Sequence, residues 1–239
     1  IWNKERTHAE IQADMTHPLT GTEPNLVAYW KFDEGAGTST ADATTNGCNG
    51  VLVNGPSWTS STIPQARGCG NVLSFDGVND YVDLGPSAPV LGTNFTQEAW
   101  IHPQTSDEYF HGFLGYEPES GGSSYRAPSL WVFERTRLHF VFGFGSGAVA
   151  GVTPKVLTGD WNHVAATYDV TAGQWKLYVN GVAETLTVPA GSPATFAGVS
   201  PRGDSIQHFA IGTAMNSTGV AAGSFQGVID EVRVWNVVH

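Results

Sequence analysis

Two carboxylates one residue apart are raw material for glycosidic hydrolysis, and the chain offers such a pair in Glu117 and Glu119 of "GYEPESGGSS". Retaining hydrolysis needs two carboxyls about 5–5.5 Å apart, flanking the scissile bond. Pro118 and the glycines that follow make this stretch a loop, so nothing in the pattern holds both groups on one face. No Gly-x-Ser-x-Gly nucleophile elbow occurs, and the two cysteines, Cys48 and Cys69, suit a bridge better than a nucleophile. The reading is of a protein that is not an enzyme.

Metal binding is the second chemistry. Calcium takes six to eight oxygens from carboxylates and carbonyls, often on loops rich in Asp, Asn and Gly. Such groups stand near the ends of the first and last predicted strands: Asp33 and Glu34 in "FDEGAG", Gly50 in "NGCNGV" and Asp230 in "VIDEV". Neighbours on a strand face opposite ways, which leaves open which of Asp33 and Glu34 would join Asp230. Without a metal, Asp230 would accept backbone N–H bonds at a sheet corner. Val228, Val232 and Val234 share its side of a strict alternation, which predicts a carboxylate beginning near the buried face. A second acidic group, Asp76, Asp80 and Asp83 in "FDGVNDYVDLG", reads as turn chemistry, since an Asx side chain closes such turns on its own backbone.

Sugar binding is the third. A pyranose stacks its apolar side on an exposed aromatic ring and is oriented by a few hydrogen-bonding groups. The stretch "SDEYFHGFLGYEPESGGSSYRAPSLW" gathers Tyr109, His111, Tyr116, Tyr125, Arg126 and Trp131 in and beside the longest loop. These six are the candidate ligand surface, with the face of Trp131 left undecided. Trp100, Trp161 and Trp175 read as core. Arg202-Gly203-Asp204 in "PRGDSIQ" matches an integrin-recognition motif, but the same residues serve as an ordinary turn with Gly for positive φ.

The elements that must position these groups are nearly all strands. Of 239 residues, 41% are hydrophobic and 14% charged, with 29 Gly and 13 Pro, a balance that favours many strands joined by tight turns. From Leu26 onward runs such as "LVAYWKFD", "FTQEAWIHP", "RLHFVFGFG", "WNHVAATYDV" and "VIDEVRVWN" alternate with period two and end at Gly, Pro, Asn or Asp. Asn180-Gly181 between "QWKLYV" and "VAETLTV" predicts a hairpin whose turn residues take positive φ. One short helix is predicted over about 7–15, where Thr7 and Glu10 have capping-box spacing, and Pro18 ends it. The fold class is therefore all-β, a two-sheet antiparallel sandwich or jelly roll.

A net charge of −11 argues against nucleic acid and against an anionic membrane surface, both of which demand clustered Lys and Arg. No apolar run approaches the ~20 residues of a membrane span, so no membrane insertion is predicted. Two cysteines in such a chain favour a Cys48–Cys69 disulfide and an oxidising compartment, hence a secreted or cell-surface setting, with any signal segment upstream.

The segments "LVAYWKFDEGAGTSTADATTNGCNGVLVNGPSW", "LSFDGVNDYVDLG", "GDWNHVAATYD", "KLYVNGV" and "GVIDEVRVWN" together resemble, in order, the motifs of laminin-G-like, concanavalin A-like jelly-roll domains. The resemblance runs from about Leu26 to Asn236. It implies two antiparallel sheets stacked face to face, with the first and last strands adjacent. It also implies a structural calcium held by an acidic residue or carbonyl near the first strand, a Gly carbonyl in the next loop, and the last-strand Asp. The β-glucanases of this fold carry Glu-x-Asp-x-x-Glu on one strand, and alginate lyases of similar fold a Gln-Ile-His strand; neither pattern occurs here. Ile1-Trp2-Asn3 followed by "KERTHAEIQADM" resembles the junction between tandem copies in this family. Residues 1–20 are thus expected to be the tail or helix of a preceding repeat or a linker that adds little to the core, and residues 24–239 the jelly-roll domain. The function these features imply is non-catalytic recognition of carbohydrate or a glycoconjugate, its partners a glycan or a cell-surface or matrix glycoprotein and adjacent copies of the same domain. The alternatives are a structural spacer or adhesion repeat with no small ligand, and an accessory domain of a hydrolase.

Overall fold

A computed structural model describes residues 8–63, 70–85, 89, 91, 94–104, 107–115, 128–144, 148–188, 197–201, 209–215 and 221–236. Alternation of apolar and polar residues along most runs gives each strand one face to bury, and two sheets bury those faces against each other. The first sheet runs β14 (Val182–Ala183), β13 (Gln174–Val179), β12 (Asn162–Asp169), β7 (Phe95–Pro103), β18 (Gln226–Trp235), β5 (Asn71–Asp76) and β4 (Ser57–Ser60), with β1 (Leu26–Trp30) on the far half of β18. The second runs β11 (Ala148–Val152), β10 (Arg137–Gly143), β9 (Ser129–Phe133), β8 (Phe110–Gly115), β15 (Ala210–Ile211), β6 (Tyr81–Asp83), β3 (Gly50–Val53) and β2 (Ser39–Thr40). β16 (Ala214–Met215) and β17 (Ala221–Ala222) pair as a separate two-stranded ribbon that packs on the outer face of the second sheet. All pairings are antiparallel, and the first strand meets the last through Leu26↔Trp235 and Trp30↔Val232.

Between the sheets lie Trp30, Phe95, Ile101, Tyr168 and Ile229 from one side and Phe113, Leu130, Val132, Phe140, Phe142 and Val149 from the other, all essentially inaccessible to water. Burying each of these side chains contributes on the order of 1.5–3 kcal/mol. Trp175 packs on Phe140, 5.8 Å between centroids, and lies over Gly151, where an added Cβ would fall 1.7 Å from the indole. The hairpin at Asn180-Gly181 forms with φ of 50° and 73° and pairs Val179 with Val182. Asp76 closes its turn by accepting from Val78 N–H at 2.7 Å, but β5 and β6 lie in different sheets, so this turn crosses the sandwich instead of closing a hairpin.

The outer face of the first sheet is also covered. Helix α1 (His8–Met15) lies on it, with Ile11 buried against Ala165 and Tyr178. Trp100 and Trp161 are buried as predicted, yet in a separate cluster with Val72 and Val228, against which Met15 packs. The Trp100 indole donates to the Met15 carbonyl at 3.2 Å. Arg233, 1% exposed, donates to the carbonyls of Asp14 at 2.9 Å and His17 at 3.3 Å, placing a cation at the negative end of the helix. Whichever copy residues 1–20 are counted with, the helix rests on this sheet.

Candidate functional site

Each of the four residues expected to hold calcium has its own local surroundings. The Glu34 carboxylate is engaged locally, accepting from Ala41 N–H at 2.8 Å and Thr40 Oγ1 at 3.1 Å. Burial and the negative charge of Glu231 raise the pKa of Asp33 above its ordinary value. Gly50 is boxed in by Val82, Leu84 and Thr40, the nearest 2.3 Å from where a Cβ would stand. For Asp230 the alternation fails. Glu231 adopts φ of 52°, and the register against β7 shifts between Asp230 and Arg233, so β18 carries one extra residue. Asp230 pairs with Trp100 and shares the outer side with Val228, whereas Val232 and Val234 face the main core. The bulge thus corrects the prediction that one face holds Asp230 together with Val232 and Val234. The Asp230 carboxylate accepts from Glu231 N–H at 2.8 Å. Among the described residues no group of three or more His, Cys, Asp or Glu side chains is gathered together.

A buried polar network sits under α1 instead. Arg233 Nη2 donates to Glu231 Oε2 at 2.7 Å, and its guanidinium lies 5.2 Å from the centroid of the Tyr29 ring. Tyr29 donates its hydroxyl to the same Glu231 carboxylate. Glu98 accepts from the Trp235 indole at 2.9 Å, and Arg233 Nη1 stands 3.6 Å from the same carboxylate. Burial, then the negative charge of Glu231, raises the Tyr29 pKa, while the carboxylates of Glu98 and Glu231 hold the Arg233 pKa up despite desolvation. This cluster is enclosed and ties the last strand to the helix. A further missed carboxylate, Asp42, organises the loop before β3 by accepting from the N–H groups of Tyr29, Thr44 and Cys48 at 3.0, 2.9 and 3.0 Å.

The aromatic surface forms on the outer face of the second sheet. Tyr109 is 75% exposed and Phe110 44% exposed at the start of β8. Phe110 is the cross-strand partner of Phe133, and the rings stack with centroids 4.1 Å apart and planes 11° from parallel. His139 meets the Phe110 ring edge-on at 5.0 Å. Trp131, whose face the sequence left undecided, lies on the outer face of the second sheet. It is 5% exposed, in a cluster with Val141 and Ala214, and its indole donates to Ser129 Oγ at 3.0 Å. The backbone of the β16–β17 ribbon closes over it: a Cβ at Gly223 would stand 2.7 Å from the indole. Trp131 therefore supports the surface, and Phe110 and Phe133 form it.

Around this pair the groups are polar. Residues Glu134 and Arg135 take φ of 47° and 64° to turn β9 into β10. Arg135 Nε donates to the Asp107 carbonyl at 3.3 Å, and Arg137 pairs with Glu134 at 3.1 Å. His111 lies against Asp107 Oδ1 at 2.6 Å and the Ser224 carbonyl at 2.7 Å. Phe110, Phe133 and His139 were not singled out in the sequence. Alternation in "SLWVFE" puts Trp131 and Phe133 on one face, but only the β8–β9 register brings Phe110 to them. Tyr116, Glu117, Glu119, Tyr125 and Arg126 lie outside the described residues, as do Cys69 and residues 202–204. Cys48 is buried, and burial followed by the charge of Asp42 raises its thiol pKa to about 11.

A jelly-roll sandwich carrying a stacked aromatic pair with one exposed ring, Phe110, on an outer face is the class of protein these features define. A model of the concanavalin A-like lectin/glucanases superfamily, of laminin-G type, matches residues 76–239, and the chain belongs to that family. A search of curated protein sequences gives no match. Among solved structures, the chain is similar to domain 4 of AbnA, a GH43 extracellular arabinanase from Geobacillus stearothermophilus, in complex with arabinotriose. The TM-score is 0.57 at 21% identity, covering 88% of this chain and 92% of that one. It is also similar to the CBM40 of the Ruminococcus gnavus IT-sialidase, with a TM-score of 0.51 at 20% identity over 63% of this chain and 79% of that one. A third is the Trypanosoma rangeli sialidase in complex with sialic acid, with a TM-score of 0.56 at 18% identity; there 96% of this chain corresponds to 35% of the sialidase. At these identities the similarity is one of fold.

Proposed function

We propose that the chain is a non-catalytic carbohydrate-recognition module that binds a glycan across Tyr109, Phe110 and Phe133. The observation that carries this reading is the exposed Phe110 ring, stacked 4.1 Å from Phe133 at the edge of a polar rim. A water-exposed Phe110 ring braced on Phe133 offers the apolar side of a sugar a flat surface, and Arg135, Arg137 and Glu134 nearby can bond its hydroxyls. A net charge of −11 favours a neutral glycan over an anionic one. The AbnA domain that resembles this chain over most of both lengths was solved with arabinotriose, which supports an accessory role beside a carbohydrate-active or adhesive protein, secreted or at the cell surface. Among the described residues no helix is long and apolar enough to cross a membrane.

The test is a glycan array read with the wild-type chain and with Phe110→Ala, each with calcium and with chelator. The reading expects a small set of neutral oligosaccharides that Phe110→Ala loses and that chelation leaves unchanged. An array without hits would favour a structural spacer, and release of reducing ends from β-glucan or arabinan would favour an enzyme.

A further inference from the structure

His111 was placed by sequence among the ligand contacts, but both of its ring nitrogens are already occupied. Nε2 is 2.6 Å from Asp107 Oδ1, and Nδ1 is 2.7 Å from the Ser224 carbonyl. A carboxylate and a carbonyl only accept, and a neutral imidazole has one N–H to give. Both contacts are satisfied together only when the ring carries two protons. The residues enclosed by the pair Asp107 and His111 include Tyr109 and Phe110, and Tyr109 N–H itself bonds Asp107 Oδ1 at 3.0 Å. On the other side, Gly112 N–H bonds the Gly223 carbonyl at 2.7 Å, next to Ser224.

We propose that His111 is a positioning residue: in its doubly protonated form it clasps the loop before β8 to the segment between β17 and β18, and so holds Tyr109 and Phe110 in place for the glycan. The proposal rests on the glycan site described above. The charged groups at the clasp are Asp107 on the same loop and Arg135 from the β9–β10 turn, which donates to the Asp107 carbonyl. The β17–β18 segment contributes the Ser224 carbonyl, and across β8 the partner is the apolar Val132. The hydrogen bond from His111 is the main cause that holds the Asp107 carboxyl below its ordinary pKa. When the ring loses a proton, one contact becomes acceptor against acceptor and opens. Asp107→Asn would give a neutral ring an N–H to accept, so it should keep the clasp and abolish its pH dependence.

The test needs no ligand for its first readout. Nitrogen-15 spectra of the His111 ring and hydrogen exchange at the Tyr109 and Gly112 amides are followed across about pH 5 to 8, where histidine changes charge. Two protonated nitrogens are expected at the acid end. Amide exchange, corrected for its intrinsic pH dependence, should then rise about tenfold as the ring titrates in the wild type and stay flat in Asp107→Asn. A second readout is binding of arabinotriose and 3′-sialyllactose. Whichever of them binds should weaken several-fold over the same pH step in the wild type alone. A single ring proton at acid pH, or exchange that follows the intrinsic rate throughout, overturns the clasp. Binding indifferent to the ring's titration overturns its positioning role. If the clasp titrates as described but neither sugar binds at any pH, the clasp stands and the proposed glycan site falls.

Discussion

Replacing Arg233 by Met should cost about 3–5 kcal/mol, the usual loss when one partner of a buried ion pair is removed and a charge is left behind. Arg233 is 1% exposed and is the cation between two carboxylates, Glu231 at 2.7 Å and Glu98 at 3.6 Å. Methionine fills much of the same volume, so the loss is one of charge and hydrogen bonds more than of packing. The two carbonyls at the end of α1, those of Asp14 and His17, would also lose their donor. Because α1 lies at the surface, water can replace that donor and the added loss is small. For a domain of this size ~4 kcal/mol lowers the thermal midpoint by roughly 8–16 °C. Denaturation by urea and by heat measures it. The double variant Arg233→Met with Glu231→Gln should recover part of the loss, since it removes an uncompensated charge. A single variant within ~1 kcal/mol of wild type, or a double variant no better than the single, would refute the reasoning.

Further expectations follow from individual contacts. Ile11 is fully buried against Ala165 and Tyr178, so Ile11→Ala should cost ~2–3 kcal/mol, and deletion of residues 1–17 more than the small loss expected of a detached tail. Burial raises the Asp80 pKa despite the hydrogen bond it accepts from Asp76 N–H, so the folded state holds that proton more tightly than the unfolded chain. The favourable contribution is present below the unfolded pKa and lost as pH rises through the folded one; Asp80→Asn should therefore raise the midpoint at pH 7, by no more than ~2–4 °C, and leave it unchanged near pH 3. If Cys48 and Cys69 are bridged, labelling of the unreduced, denatured chain finds no thiol; two labelled thiols exclude the disulfide.

Periodicity carried the sequence reading where one face of a strand is buried and failed where both faces are. The positive-φ hairpin pair Asn180-Gly181 appears as read, and the pairing of first and last strands follows the family resemblance. "WNHVAATYD" forms a strand paired with β7, but it is buried on both faces, so its alternation did not show which side α1 covers. A charged residue in a strand ordinarily marks solvent, so Glu98 and Arg233 gave no sign that a helix would cover them. The bulge at Glu231 was equally hidden, because positive φ at a glutamate has no sequence signature, and a one-residue shift moves Asp230 to the other side of the sheet. Tyr109 and His111 were legible as members of the candidate surface from local composition. Phe110 and Phe133 were not, since their stacking depends on which strand lies beside which and in what register.

Backbone amide chemical-shift mapping with the best glycan from the array tests the central claim most directly. The account predicts saturable shifts concentrated at residues 107–112 and on the outer face of β9 and β10 around Phe133 and His139, lost in Phe110→Ala while the rest of the spectrum is preserved. Saturable shifts centred on the outer face of the first sheet or on the Asp33, Gly50 and Asp230 end, and retained in Phe110→Ala, would contradict it.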